Sequence, residues 1–154
     1  MPRLLIPLLA LVVLPLATAA EPEGGPAMVD AYVGGKRLYG EHADLVERAK
    51  LAPDQPVRVE ELSRDTDTSH HLVSLRGREP LHMHERHSIL VTLLDGYGRM
   101  HIDGEERAVG KGSVLYISRG TVHAFINESD SPAVAYVIYH PPYDGRDSKP
   151  APDQ

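Results

Sequence analysis

From Pro56 to His140 the chain is a succession of short alternating runs: PVRVEELS, HHLVSLR, PLHMH, SILVTLL, GRMHID, ERAVG, SVLYIS, VHAFIN and AVAYVIYH. Turn formers separate them, at Asp65-Thr66-Asp67, Arg76-Gly77, Asp95-Gly96, Asp103-Gly104, Gly110-Lys111-Gly112 and Ser129-Asp130-Ser131-Pro132. A helix needs apolar residues every three to four positions over a longer stretch, and these runs end too soon to supply them. Many short strands at this spacing predict an all-β jelly-roll sandwich or barrel.

Two of the runs carry histidines. His82 and His84 stand two apart, so on a strand both rings project from one face, one pleat from each other. His87 follows closely, and His123 lies some forty residues on, also in a strand-like segment. An H-x-H pair alone is equally well read as surface histidines on a sheet edge. The set of four has a second meaning, because neutral imidazole is the commonest protein ligand for divalent transition metals. Phe125 shares parity with His123 and is expected to project into the same cavity, where the chain's single phenylalanine would form an apolar wall.

The residues around these histidines are arranged as Gly112-x5-Ser118-x-Gly120-x-x-His123-x3-Asn127 and, upstream, as His82-x-His84 followed by Gly96. In this the chain resembles the cupin superfamily, whose first motif is G-x5-H-x-H-x3or4-E-x6-G and whose second is G-x5-P-x-G-x-x-H-x3-N. The resemblance runs over roughly residues 57 to 140. The 15 residues between Gly96 and Gly112 resemble the compact spacing of bacterial single-domain cupins. It implies a double-stranded β-helix, a jelly-roll barrel, with His82, His84 and His123 as metal ligands and Asn127 in a structural role. Ser118 stands in the place of the motif's proline, which affects turn rigidity, since proline there presets φ. Gly77 answers the opening glycine at a slightly shorter spacing. The glutamate has no counterpart: counting back from Gly96, its place is taken by Ile89, which ligates nothing. His87 is the expected substitute. It shares parity with position 89 but lies about 6.6 Å back along the strand, so a bulge after His84 would have to bring it in. Glu85, next to His84, is expected to face away. The cofactor implied is a divalent transition metal (Mn, Fe, Ni, Cu or Zn), held by His82, His84, His87 and His123.

The chain's 154 residues suit one domain. Residues 1–20 have Arg3, an apolar run from Leu4 to Leu16 and a small-residue end at Ala17 to Ala20, the layout of a cleaved secretory signal. The apolar run is short for a membrane span and contains Pro7 and Pro15, so no stable membrane anchor is expected. The expected address is the periplasm or the outside. The chain has no cysteine, which removes disulfides, zinc–thiolate sites and thiol catalysis and leaves histidine and carboxylate chemistry. A net charge of −6 with no basic cluster argues against a nucleic-acid partner.

Residues 21–40, rich in glycine and proline, are expected to be a flexible linker. A helix of about ten residues with Leu45, Val46 and Ala49 on one side should open the barrel domain, which is set at 41–143. Residues 144–154 read as a polar tail. His42 reads as a solvated helix residue, and His70 and His71, being adjacent, face opposite ways and are expected at the surface. His101 is expected to face away from Met100 and Ile102, and His140 has no partner in view. Two functional classes remain open. One is a metal-dependent enzyme on a small molecule, with catalytic residues unknown because no carboxylate or tyrosine is clearly aimed into the cavity. The other is a non-catalytic small-molecule binding or sensing barrel. Open coordination beside a pocket favours the first, and a homodimer is the default assembly.

Overall fold

The computed structural model describes residues 25–151, and the expected signal segment 1–20 lies outside them. β1 (Met28–Val33) and β2 (Lys36–Glu41) form a hairpin, followed by α1 (His42–Arg48). The alternating runs then become, in order, β3 (Val57–Arg64), β4 (Ser69–Leu75), β5 (His82–His84), β6 (Ser88–Asp95), β7 (Tyr97–Ile102), β8 (Glu105–Gly110), β9 (Val114–Ile117), β10 (His123–Asn127) and β11 (Ala133–His140). A last strand, β12 (Ser148–Pro150), follows. Two five-stranded sheets result, ordered β3-β4-β11-β6-β9 and β12-β5-β10-β7-β8, with every pairing antiparallel. This is the expected double-stranded β-helix with one short helix. The Asp103-Gly104 turn between β7 and β8 has φ of 50° and 82°, the paired positive values of a tight hairpin turn.

The first sheet is covered on both faces. Ile89 and Val91 of β6, with Val137 and Tyr139 of β11, point at the second sheet and pack with Met100 and Ile117. The alternate residues Leu94, Val134 and Tyr136 point the other way, onto Leu45 and Ala49 at the helix and Val29 and Leu38 of the hairpin. A strand buried on both sides reads as a nearly continuous apolar run, and AVAYVIYH is one.

Three expectations need correction. Residues 28–41 are no linker: MVDAYV and KRLYGE alternate, and the Gly34-Gly35 turn has φ of 56° and 76°, a turn that glycine adopts without strain. The C-terminal segment does not trail off, because β12 pairs with β5 and Asp147 is fully buried. His70 and His71 do face opposite ways, but neither is at the surface, since both faces of β4 are covered. His70 bonds the Tyr136 hydroxyl in the helix-side layer, and His71 lies edge-on to Tyr139 between the sheets.

Leu94 is 0% exposed and joins the sheet to the helix and hairpin layer. Leu94→Ala should therefore cost about 2–5 kcal/mol in urea unfolding. Tyr32→Ala, at a hairpin residue 76% exposed, should change stability by no more than about 0.5 kcal/mol.

Candidate metal centre

β5 is too short to be held by its own packing and is fixed by neighbours on both sides, β12 and β10. The register places His82 directly opposite His123, and His84 follows on the same face. The three rings gather, with centroids 4.3 Å apart for His82 and His123, 5.2 Å for His82 and His84, and 5.4 Å for His84 and His123. One ring nitrogen from each falls within 4.8 Å of the other two.

Each ring is anchored the same way. Nδ1–H donates to a backbone carbonyl in all three: His82 to Pro80 (2.9 Å), His84 to Asp147 (3.1 Å) and His123 to Thr121 (2.9 Å). A carbonyl can only accept, so the proton is fixed on Nδ1 and the lone pair on Nε2. Burial pushes His123 from its usual 6.5 down to about 4 and lowers His84 as well. With each Nδ1–H committed to a carbonyl, the ring nitrogens left to converge are what a tetrahedral or facial cation site requires, so the residues present fit a divalent transition metal.

His87 does not join them. Its Nδ1 is bonded to Asp147 Oδ2 and its Nε2 lies 3.1 Å from the Pro142 carbonyl, so both nitrogens are engaged away from the triad. It sits beyond His84, with ring centroids 6.4 Å apart, against Tyr139 and Tyr143. No bulge brings it to the place of the missing glutamate. Among the described residues that place is filled by Ile89 itself, 5% exposed and in the wall of a void of about 750 Å³, open solvent at its mouth included. Phe125 lines the same void, as its parity with His123 implies. His101 is turned outward to Glu106 (2.8 Å), and exposed His140 bonds the Asp67 carbonyl (2.9 Å).

Sequence reasoning missed three residues here. Tyr139 lines the void, 5.5 Å from the His84 ring, and burial raises its hydroxyl above the usual range. Its alternation with Ala135 and Val137 on β11 was the available signal. Glu79 also lines the void; its Oε1 accepts the Phe125 N–H at 2.8 Å, and burial raises its carboxyl against the opposing pull of His82. Nothing local marks it, because it sits in an irregular stretch before β5. Asp147 accepts the backbone N–H groups of Arg86 (2.9 Å) and His87 (3.2 Å), the His87 ring and the Arg86 side chain (3.3 Å). Burial alone would raise its carboxyl, but these donors outweigh it and hold the group at about 2.

The family profile described as Cupin domain matches residues 71–139. An uncharacterized protein of Aquifex aeolicus (strain VF5) is 32% identical over 94 residues, which are 61% of this chain and 77% of that one. The chain belongs to the cupin superfamily. Among solved structures, TT1209 from Thermus thermophilus aligns with this cupin at a TM-score of 0.56 and 22% identity, over 64% of this chain and 95% of its own. An uncharacterized conserved protein with a double-stranded β-helix domain from Klebsiella pneumoniae aligns at 0.58 and 15% identity, over 70% and 95%. At these identities the likeness is one of fold.

His87→Ala should leave the buried Asp147 carboxylate short of a partner and cost about 3–5 kcal/mol in thermal or urea unfolding. Below the unfolding transition, isothermal titration should find its metal affinity reduced by no more than about 10–100-fold, through loosened positioning of His84, whereas His84→Ala should lose more. Equal losses would return His87 to the ligand set.

Proposed function

We propose that this cupin is an exported protein that holds one divalent transition metal ion through His82, His84 and His123, with the remaining coordination positions open to the cavity and a small molecule bound there. The observation that carries the reading is the shared anchoring of the three Nδ1–H groups on carbonyls, which leaves three Nε2 atoms converging with no protein donor opposed to them. With imidazole as the only ligand type, Fe, Ni, Cu or Zn suits the site better than Mn, which prefers carboxylate oxygen.

An ion held there would supply a Lewis acid to a bound oxygen. The chain's own residues do the rest. The carbonyls of Pro80, Thr121 and Asp147 keep the rings in one tautomer and orientation. Ile89 and Phe125 form apolar walls that limit water beside the ion. Glu79 and Tyr139 are the polar groups of the cavity besides the triad, placed to meet a bound molecule close to the histidines.

Purified protein should take up about one Co(II), Ni(II) or Zn(II) per chain by elemental analysis, and His82→Ala, His84→Ala and His123→Ala should each remove most of the affinity. Protein that stays metal-free after incubation with all of these ions would instead be a binding or sensing cupin without metal. Acid should act on the metal-free protein as well. His123 has a folded value of about 4 against its usual 6.5, so the unfolded chain takes up the proton first. Stability from this group is present above 6.5 and lost as pH falls through about 4, which urea midpoints measured across that range would show.

Export is supported by the Arg3, Leu4 to Leu16 and Ala17 to Ala20 pattern. Among the described residues no helix is long and apolar enough to cross a membrane. A homodimer is supported by β3, an edge strand whose Val57 and Val59 are 45% and 52% exposed. Intact mass and sedimentation velocity on protein from its native host should show a chain starting near Ala20 or Glu21 and twice the chain mass. Retention of Met1 or a monomer would refute the corresponding part.

A further inference from the structure

The void beside the triad has a lopsided lining. Ile89 and Val91 of β6, Ala135 and Val137 of β11, Met100 of β7 and Phe125 of β10 are typical of its walls. Its polar lining groups are His82, His84, His123, Tyr139 and Glu79, and they sit together: Tyr139 is 5.5 Å from His84, and Glu79 precedes His82 by three residues. The space amounts to about 750 Å³ when the open solvent at its mouth is counted with it.

The charge is lopsided too. Three neutral imidazoles leave a divalent ion with both its positive charges, and the carboxylate that the motif would supply is Ile89, turned into the wall. The nearby acid, Glu79, has one carboxyl oxygen tied to the Phe125 N–H. A cation facing an apolar cavity without a counter-charge is costly, and a ligand that brings the negative charge removes that cost. Resting on the metal reading above, we infer that the cavity takes a small molecule with an apolar body and one anionic oxygen head, a carboxylate or enolate, with the head on the ion and the body along Ile89, Val137, Met100 and Phe125. A polyhydroxylated ligand such as a free sugar is disfavoured, since its hydroxyls would meet walls without donors or acceptors.

The test uses the Co(II)-loaded protein and three probes: acetate, hexanoate and hexanol. Visible absorption of the cobalt reports the head, and isothermal titration reports affinity. Hexanoate should change the cobalt spectrum and bind at least about 50-fold more tightly than acetate, since each of the four added methylenes is worth roughly fourfold when fully buried. Hexanol should leave the spectrum unchanged at the same concentrations. Ala135→Phe, which fills the cavity, should weaken hexanoate at least tenfold while Co(II) and acetate affinities hold. Should that variant fail to fold, the wild-type series decides. Equal affinity for acetate and hexanoate, or hexanol binding as well as hexanoate, overturns this inference and leaves the metal reading standing. Cobalt uptake that survives His123→Ala overturns both.

Discussion

The buried carboxylate of Asp147 is the contact on which the site's geometry turns. It lies in the C-terminal segment, 60 residues beyond His87, and it accepts from the His87 ring and from two backbone N–H groups of the loop that joins β5 to β6. Its own carbonyl receives the His84 Nδ1–H. One residue thus fixes the loop after the H-x-H strand and the rotation of a ring within it. The strand gains as well: without β12, β5 would be a three-residue edge strand, and such a strand has little to keep its register. A hydrogen-bonded pair at full burial is sensitive to the loss of either member, because the survivor is left desolvated and unpaired.

The two faces of the first sheet do different work. On the helix side, Leu72, Leu94 and Val134 meet the helix and hairpin in a packed layer. On the other side, apolar residues of both sheets line a void instead of filling it. Apolar surface left facing a void gives up dispersion contacts that a bound molecule would restore. The N-terminal layer has its place in this division: with a void left between the sheets, the covered outer face carries more of the fold's hydrophobic stabilisation.

Most of the fold is legible in the sequence because its signals are local. Strand alternation from Pro56 to His140 and the spacing from Gly112 to Asn127 each involve neighbours within a run, and both match the structure. The hairpin at Met28 to Glu41 was legible as well, through the Gly34-Gly35 turn between alternating runs, but the high glycine and proline content nearby masks it. The triad follows from parity and register. What a sequence does not carry is a partnership between distant loops. Asp147 looks like one acid in a polar tail until the fold places it under Arg86 and His87, and that same partnership removes His87 from the ligand set by using both of its nitrogens. Glu79 is equally silent, since its carboxyl replaces a backbone acceptor where the β5–β10 ladder becomes irregular.

The triad ties function to stability. His84 and His123 are 5% and 2% exposed and are kept neutral by burial, so in the absence of a cation the fold keeps desolvated lone pairs beside an apolar void. That is a cost a bound cation would remove. A ligand that binds only the folded state adds stability as its concentration exceeds its dissociation constant, by about 2.7 kcal/mol at a hundredfold excess. For a chain with no cysteine, and hence no disulfide to constrain its unfolded state, an increment of that size is a substantial part of the few kcal/mol that separate folded from unfolded. The arrangement of three converging rings is therefore also one in which an ion, if held, would complete the fold, and the anchoring carbonyls of Pro80, Thr121 and Asp147 would belong to both tasks.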